Sequence, residues 1–241
     1  MNTLGVILAR AGSVGLANKH LLSLLGRPLI DYTFEHARSA RRLTKTVVST
    51  DCPHIRSLAR AAGFITIERP SALATSDASV QDAMLHAMDT VEANSDFRAD
   101  ALVVLYGNCP VRSGGVIDRS IEMLEGTGCD SVRTFCPVGK WHPAWMSKLA
   151  EAGDVEPLHP GSIHRRQDLE PLFLHDGGAV AVSRASMLRG KEFPTDPHAF
   201  FGVNRKGVRT EPGDVVEVDH QRDLYWAEAV LRDRKAIRKA S

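Results

Sequence analysis

Short apolar runs rich in β-branched residues alternate with segments of helical period along most of the chain, and this alternation restricts the available folds more than any single motif does. The runs are Leu4–Ala9, Thr46–Ser49, Phe64–Ile67, Ala101–Leu105, Ser131–Phe135, Ala179–Val182 and Val215–Val218. Between most of them lie Pro28–Ala40, His54–Ala62, Ser79–Ala93, Val116–Leu124 and Gln221–Arg232, where apolar residues recur every three or four positions. Strands that are apolar without interruption are buried on both faces, so the pattern predicts an α/β fold, a Rossmann-like and mostly parallel sheet with helices on both faces. Ligands on such sheets sit at the carboxyl ends of the strands. One segment, Pro137–Leu174, breaks the alternation with Trp141, Trp145, several prolines and a polar stretch at Ile163–Asp168. It reads as an inserted arm, for oligomer contacts or for closing the site. The 241 residues otherwise read as a single domain.

Charge narrows the partners. Lys and Arg number 30 against 29 Asp and Glu, a net charge of +1, so no global field draws in nucleic acid or an anionic membrane. The opening MNTLGVILAR has an apolar run too short to span a bilayer, followed by its basic residue, which is the wrong order for a secretion signal. A cytoplasmic protein is expected. The four cysteines, Cys52, Cys109, Cys129 and Cys136, contain no CxxC pair and indicate neither a zinc site nor a disulfide framework.

The stretch ILARAGSVGLANKH leaves the first predicted strand with neither the GxGxxG order of a dinucleotide fold nor the GxxxxGK[ST] order of a P-loop. Gly12, Ser13 and Gly15 still allow backbone amides to approach phosphate, and Arg10 and Lys19, with Ala9 and Ala11 flanking, can neutralise it. Taken alone, the loop fits equally an ordinary strand-to-helix connection with solvated charges. Near the other end, VVEVDHQ places Glu217 and Asp219 two apart on a predicted strand, hence on one side, as a hard-oxygen pair suited to Mg²⁺. The competing account is a pair of edge-strand charges with Asp219 capping the next helix. Asp51 likewise has two readings, at the nucleotide edge or as a helix cap. His142, His159, His164 and His175 lack metal-like spacing, and Cys109 has no identifiable base nearby, so structural roles are expected for them.

Taken in order, these segments resemble the CMP-sugar synthetases, the family of N-acylneuraminate and Kdo cytidylyltransferases. The opening loop is similar to RxGSKGxxxKN, and GRPLIDYTFEHA, VVSTDCPHI, ERPSALATSDASV, YGNCPVR and VVEVDHQRDL resemble GKPLIxYTIExA, VVSTDDxEI, xRPAELAxDxAS, LQPTSPLR and IDIDxxxDL. The resemblance spans nearly the whole chain. It implies a fold of the nucleotide-diphospho-sugar transferase type with a dimerisation arm. It also implies a reaction in which an acceptor hydroxyl attacks the α-phosphate of CTP and pyrophosphate leaves. Arg69 and Ser79 fall at positions of base recognition, although a buried Arg69 paired with a structural carboxylate is the competing account. Arg10 and Lys19 would hold the pyrophosphate, Asp219 and Glu217 the Mg²⁺. Tyr106, Asn108, Arg112 and His175, with Arg166 of the arm, would face the acceptor, a sialic-acid-like or other ulosonic acid.

The chain also departs from that pattern. Val14 stands at the Lys of GSKG, Tyr106 and Asn108 replace Gln and Thr, and the Arg-Pro-Asn-Gly after the arm becomes His175, Asp176, Gly177, Gly178. Other readings therefore stay open: a different NTP, a phosphonate or sugar-phosphate acceptor, or a nucleotide-binding protein without catalysis.

Overall fold

The uninterrupted apolar runs become the inner strands of one sheet in a computed structural model that describes residues 1–12, 15–161 and 165–240, the side chains of 238–240 excepted. In chain order the strands are β1 (Thr3–Leu8), β2 (Ser23–Leu24), β3 (Arg27–Pro28), β4 (Lys45–Thr50), β5 (Ile65–Glu68), β6 (Ala101–Tyr106), β7 (Ser131–Pro137), β8 (Ser147–Leu149), β9 (Val155–Pro157), β10 (Phe173–Ser183) and β11 (Arg205–Arg209). The α-helices are α1 (Leu29–Ser39), α2 (Pro53–Ala61), α3 (Val80–Ala93), α4 (Val116–Thr127), α5 (Arg184–Arg189) and α6 (Gln221–Ala240). Seven strands form the central sheet in the order β11-β7-β10-β6-β1-β4-β5. Only β10 runs antiparallel to its neighbours; the other pairings are parallel.

Alternate residues of the inner strands feed two cores. Ile7, Val48, Val103 and Leu105 meet Ile30 and Phe34 of α1, Ile55 of α2 and Ile121 of α4 on one face. Leu4, Val6, Val47, Leu102 and Val104 meet Met84 and Met88 of α3 and Met187 of α5 on the other. Both sides of each inner strand are thus dry, as the continuous apolar runs require. Each fully buried aliphatic side chain there contributes about 1.5–3 kcal/mol.

The differences from the sequence expectations have local causes. Val215–Val218 does not join the sheet. It follows a turn at Gly213 and makes isolated bridges, Val111 to Val216 and Pro212 to Val215, with a further Val218 N–H bond to Asn108 O at 2.8 Å after β6. The strand at that edge of the sheet is β11 instead; of its RKGVR only Val208 is buried, so no apolar run announces it. β10 begins at Phe173, before the expected Ala179, and a register shift lies between His175 and Val180. The arm therefore occupies residues 138–172 and contains the β8–β9 ribbon. Among the described residues no helix is long and apolar enough to cross a membrane.

Candidate active site

The loop after β1 is held from below. Ala9 N–H donates to Ser49 O at 3.2 Å, and Ala11 N–H donates to Asp51 Oδ1 at 2.7 Å. Asp51 therefore fastens the loop and does not cap α2, whose N-cap is Cys52 without a side-chain bond. Arg10 Nη1 reaches back to Gly12 O at 3.1 Å. Ser13 and Val14 lie outside the described residues. Where the chain re-enters at Gly15, a Cβ would stand 2.6 Å from the carbonyl oxygen of Asp219, so only glycine permits this approach of the loop to the carboxylate segment.

Beside the loop is a cavity of about 170 Å³ whose lining includes Arg10, Lys19, His20, Arg69, Ser79, Tyr106, Asn108 and Glu217. Arg69 is buried; its Nε and Nη2 donate to Ser49 Oγ at 3.1 Å and Ser49 O at 2.8 Å. Burial lowers its pKa to about 10, which leaves it charged at neutral pH. Among the described residues no carboxylate forms a direct ion pair with Arg69, although the Asp51 charge acts on it against the effect of burial. Ser79 caps α3, accepting from Asp82 N–H at 3.0 Å, while also lining the cavity.

Opposite stands the acidic pair. Val216 and Val218 are buried against Leu24, Leu29 and Ala227 in a third cluster, which turns the intervening Glu217 and Asp219 the other way. The alternation expected of a strand is thus kept without a strand. One amide, Asn108 Nδ2, lies 3.1 Å from Glu217 Oε1 and 3.2 Å from Asp219 Oδ1, so the carboxylates converge on a common point. Lys19 Nζ sits 2.8 Å from the same Asp219 oxygen. Burial, then the Asp219 charge, raises the Glu217 pKa, with Asn108 and Lys19 opposing. Asp219 is not the cap of α6. Asp223, inside the first turn of the helix, fastens the chain entering it by accepting from Asp219 N–H at 3.1 Å and His220 N–H at 2.8 Å.

A second cavity, of about 420 Å³, shares Glu217 with the first and adds Trp141, Lys140, His175, Asp176 and Trp226 to its lining. Two expected acceptor residues are not among the lining residues, Arg112 being turned into the protein and Arg166 lying beside Gly139 at the edge of the second cavity. Arg112 is 3% exposed, and it donates to Gly178 O at 2.7 Å, Cys109 O at 2.7 Å, Tyr106 O at 2.9 Å and Thr33 Oγ1 at 3.1 Å. A guanidinium satisfied by the protein in this way is a strut, which corrects its assignment to the acceptor. Arg166 lies in a short turn of the arm near Gly139 and lines neither cavity. Tyr106 and Asn108 line the first cavity and His175 the second.

Sequence reasoning passed over His20. Burial first, then Lys19, Arg69 and Arg10, push its pKa down to about 3, so it enters the cavity neutral. Its place directly after Lys19, at the end of the loop, was the available signal. Burial pushes the Cys109 thiol up to about 12, in keeping with a packing role.

A mostly parallel sheet with a basic loop at the end of β1, a buried Arg in the adjoining cavity and a carboxylate pair facing that loop make an α/β protein with a site suited to a nucleotide. The chain belongs to the cytidylyltransferase family, whose sequence profile matches residues 4–227. It is 30% identical over 198 residues to the N-acylneuraminate cytidylyltransferase of Streptococcus agalactiae, an alignment that takes in 81% of this chain and 46% of that protein. The chain thus spans about half the length of that relative. It is 28% identical over 204 residues to the CMP-N,N'-diacetyllegionaminic acid synthase of Legionella pneumophila, covering 82% of this chain and 84% of that one. The solved structure of CMP:2-keto-3-deoxy-manno-octonic acid synthetase complexed with CTP shares the fold, with a TM-score of 0.73 at 19% identity over 97% of this chain and 100% of that one.

Proposed function

We propose that this protein transfers CMP from CTP to a hydroxyl of an ulosonic acid and releases pyrophosphate. The observation that carries this reading is the convergence of Lys19, Asn108, Glu217 and Asp219 where the two cavities adjoin, one lined by Arg10 and Arg69 and the other by aromatic rings. The nucleotide fits the first cavity, with Arg69 and Ser79 toward the base and Arg10 and Lys19 toward the triphosphate. The acceptor fits the second, so that its hydroxyl meets the α-phosphate beside Glu217.

The residues present suit Mg²⁺. Two carboxylates converge on one point, and the buried one is penalised by the charge of the other, a strain that a cation relieves. Among the described residues no third acidic, His or Cys ligand completes a protein-only cage, and Mg²⁺ characteristically takes one or two carboxylates and fills its shell with water and phosphate oxygens. Bound there, it would supply charge to the phosphoryl oxygens and acidify the acceptor hydroxyl. The protein's own part is positioning. Arg10 and Lys19 neutralise the leaving pyrophosphate, and the neutral His20 adds no charge to a cavity that already holds three cations. Such a displacement depends on in-line placement and charge stabilisation more than on covalent help.

The exposed apolar side chains of the arm support a homodimer, and CTP as donor supports a cytoplasmic setting. Pyrophosphate release tests the reading, measured for each of the four NTPs with Mg²⁺ against ulosonic acids and phosphonates. Release with CTP and an ulosonic acid is expected. Equal release from all four NTPs, or release only with a phosphonate, overturns the corresponding assignment.

A further inference from the structure

Two departures from the family pattern meet in space. Gly177 stands where the motif has Asn, and Glu217 where it has the shorter Asp. A Cβ on Gly177 would lie 2.6 Å from Glu217 Oε2 and 3.3 Å from its Cδ, the first a distance at which something must shift.

The backbone at Gly177 is fixed, so the group that must give way is the carboxylate end of Glu217. The Asp176 carboxylate beside Gly177 accepts from Thr134 and Thr210 hydroxyls and from Gly178 N–H at 3.0 Å. Gly178 O is gripped by Arg112 at 2.7 Å. On the other side, Val216 and Val218 are buried and Asn108 holds the Glu217 carboxylate at 3.1 Å. The positive φ of Gly177, +74°, does not by itself require glycine, because Asn is among the residues that adopt that region.

We propose that Gly177 is a positioning residue for the metal-binding carboxylate: its missing side chain is the space into which the longer Glu217 extends, so that the two positions exchange only as a pair. This rests on the reading of Glu217 and Asp219 as metal ligands. An Asn at 177, one of the residues that tolerate this φ, pushes Oε2 out of its seat and breaks the convergence with Asp219.

The test is a double-mutant cycle of Gly177→Asn and Glu217→Asp with two readouts, melting temperature without metal and Mn²⁺ binding to the free protein followed by electron paramagnetic resonance. Gly177→Asn alone is expected to lower the melting temperature by about 5 °C and to weaken Mn²⁺ binding by about tenfold, the scale of a displaced metal ligand. Adding Glu217→Asp is expected to recover most of both losses. Additive losses in the metal-free melting temperatures, or a Gly177→Asn protein that binds Mn²⁺ as the wild type does, overturn the pairing. A wild type that binds no Mn²⁺ overturns the metal reading and with it the positioning role, and the metal-free cycle still shows whether the two side chains compete for one space.

Discussion

The cleft and the arm are built by opposite rules. Around the cleft the polar groups are partnered within the chain: Asp51 holds the loop, Ser49 holds Arg69, Asn108 bridges the carboxylates and Arg112 binds three carbonyls. In the arm, apolar side chains meet solvent, with Trp141 65% exposed, Leu149 75% and Val155 63%. A site whose parts are fastened by their own chain keeps its geometry without help, whereas an exposed apolar ribbon gains stability only when another surface covers it. The cleft is thus finished within the chain and the apolar face of the arm is left open by it, a difference that substitutions on either side can break.

The largest effect is expected at Arg112. Arg112→Met keeps most of the length and volume but removes four hydrogen bonds of a buried guanidinium and takes from Gly178 O its side-chain donor, at about 1–3 kcal/mol when unsatisfied, while the Tyr106 and Cys109 carbonyls keep the Thr33 hydroxyl. The melting temperature should fall by roughly 10 °C or more. An unchanged melting temperature would show that the strut is dispensable and that the cleft is held in some other way.

Asp219→Asn comes next. The half-exposed Asp219 carboxylate pairs with Lys19 and Asn108 and with no helix amide among the described contacts, so the substitution should leave the melting temperature nearly unchanged. Turnover, read as Mg²⁺-dependent pyrophosphate release, should drop by at least about 10², the scale of losing one charge-stabilising group. Nucleotide affinity should fall much less, because Arg10 and Arg69 line the first cavity without a hydrogen bond to Asp219. A stable and fully active Asp219→Asn protein would remove the centre of the mechanism.

The legibility of the sequence follows the same division. Buried strands are written as unbroken apolar runs, so the inner strands and their helices could be read directly, and β11 could not, because its exposed face carries Arg and Lys. Glu217 and Asp219 were legible as a pair since the valines between and before them must be buried; that they do so against α1 and α6, outside the sheet, is a tertiary fact. Arg112 was misread because a motif position does not say whether a guanidinium faces solvent or backbone carbonyls. Lys19 was assigned to phosphate, and that its ammonium pairs with Asp219 is again a tertiary fact.

Acid should unfold the cleft side first. His36, behind Arg112, has its pKa pushed down to about 3 by burial and then by the Arg112 and Arg234 charges, and His20 is held near the same value. Since the folded value lies below the unfolded one of about 6.5, the unfolded chain takes up the proton first. Stability is therefore lost as pH falls from about 6.5 toward 3. Between pH 7 and pH 5 each histidine accounts for on the order of 2 kcal/mol. His36→Gln, which cannot titrate, should show a distinctly smaller fall in melting temperature over that range than the wild type. Equal falls would mean that His36 does not contribute to the acid response.

The smallest effect on the fold of the single chain is expected in the arm, and it completes the comparison. Leu149 and Val155 face each other across the β8–β9 ribbon, both exposed. Replacing both by Ser removes apolar surface that the chain itself does not cover, so the stability of an isolated subunit should change by no more than about 0.5 kcal/mol per site, as at other exposed positions. If a second copy covers the ribbon, the same change removes about 1.5–3 kcal/mol of burial per side chain from the interface, and in a twofold dimer each loss counts twice. The dissociation constant should then rise by more than 10², since each 1.4 kcal/mol is tenfold. Sedimentation velocity at micromolar concentration should show a wild-type dimer and a Leu149→Ser, Val155→Ser monomer with a normal unfolding transition. A wild type that sediments as a monomer would contradict the assignment of the arm to subunit contact. A doubly substituted protein that stays dimeric would place the contact on another part of the surface.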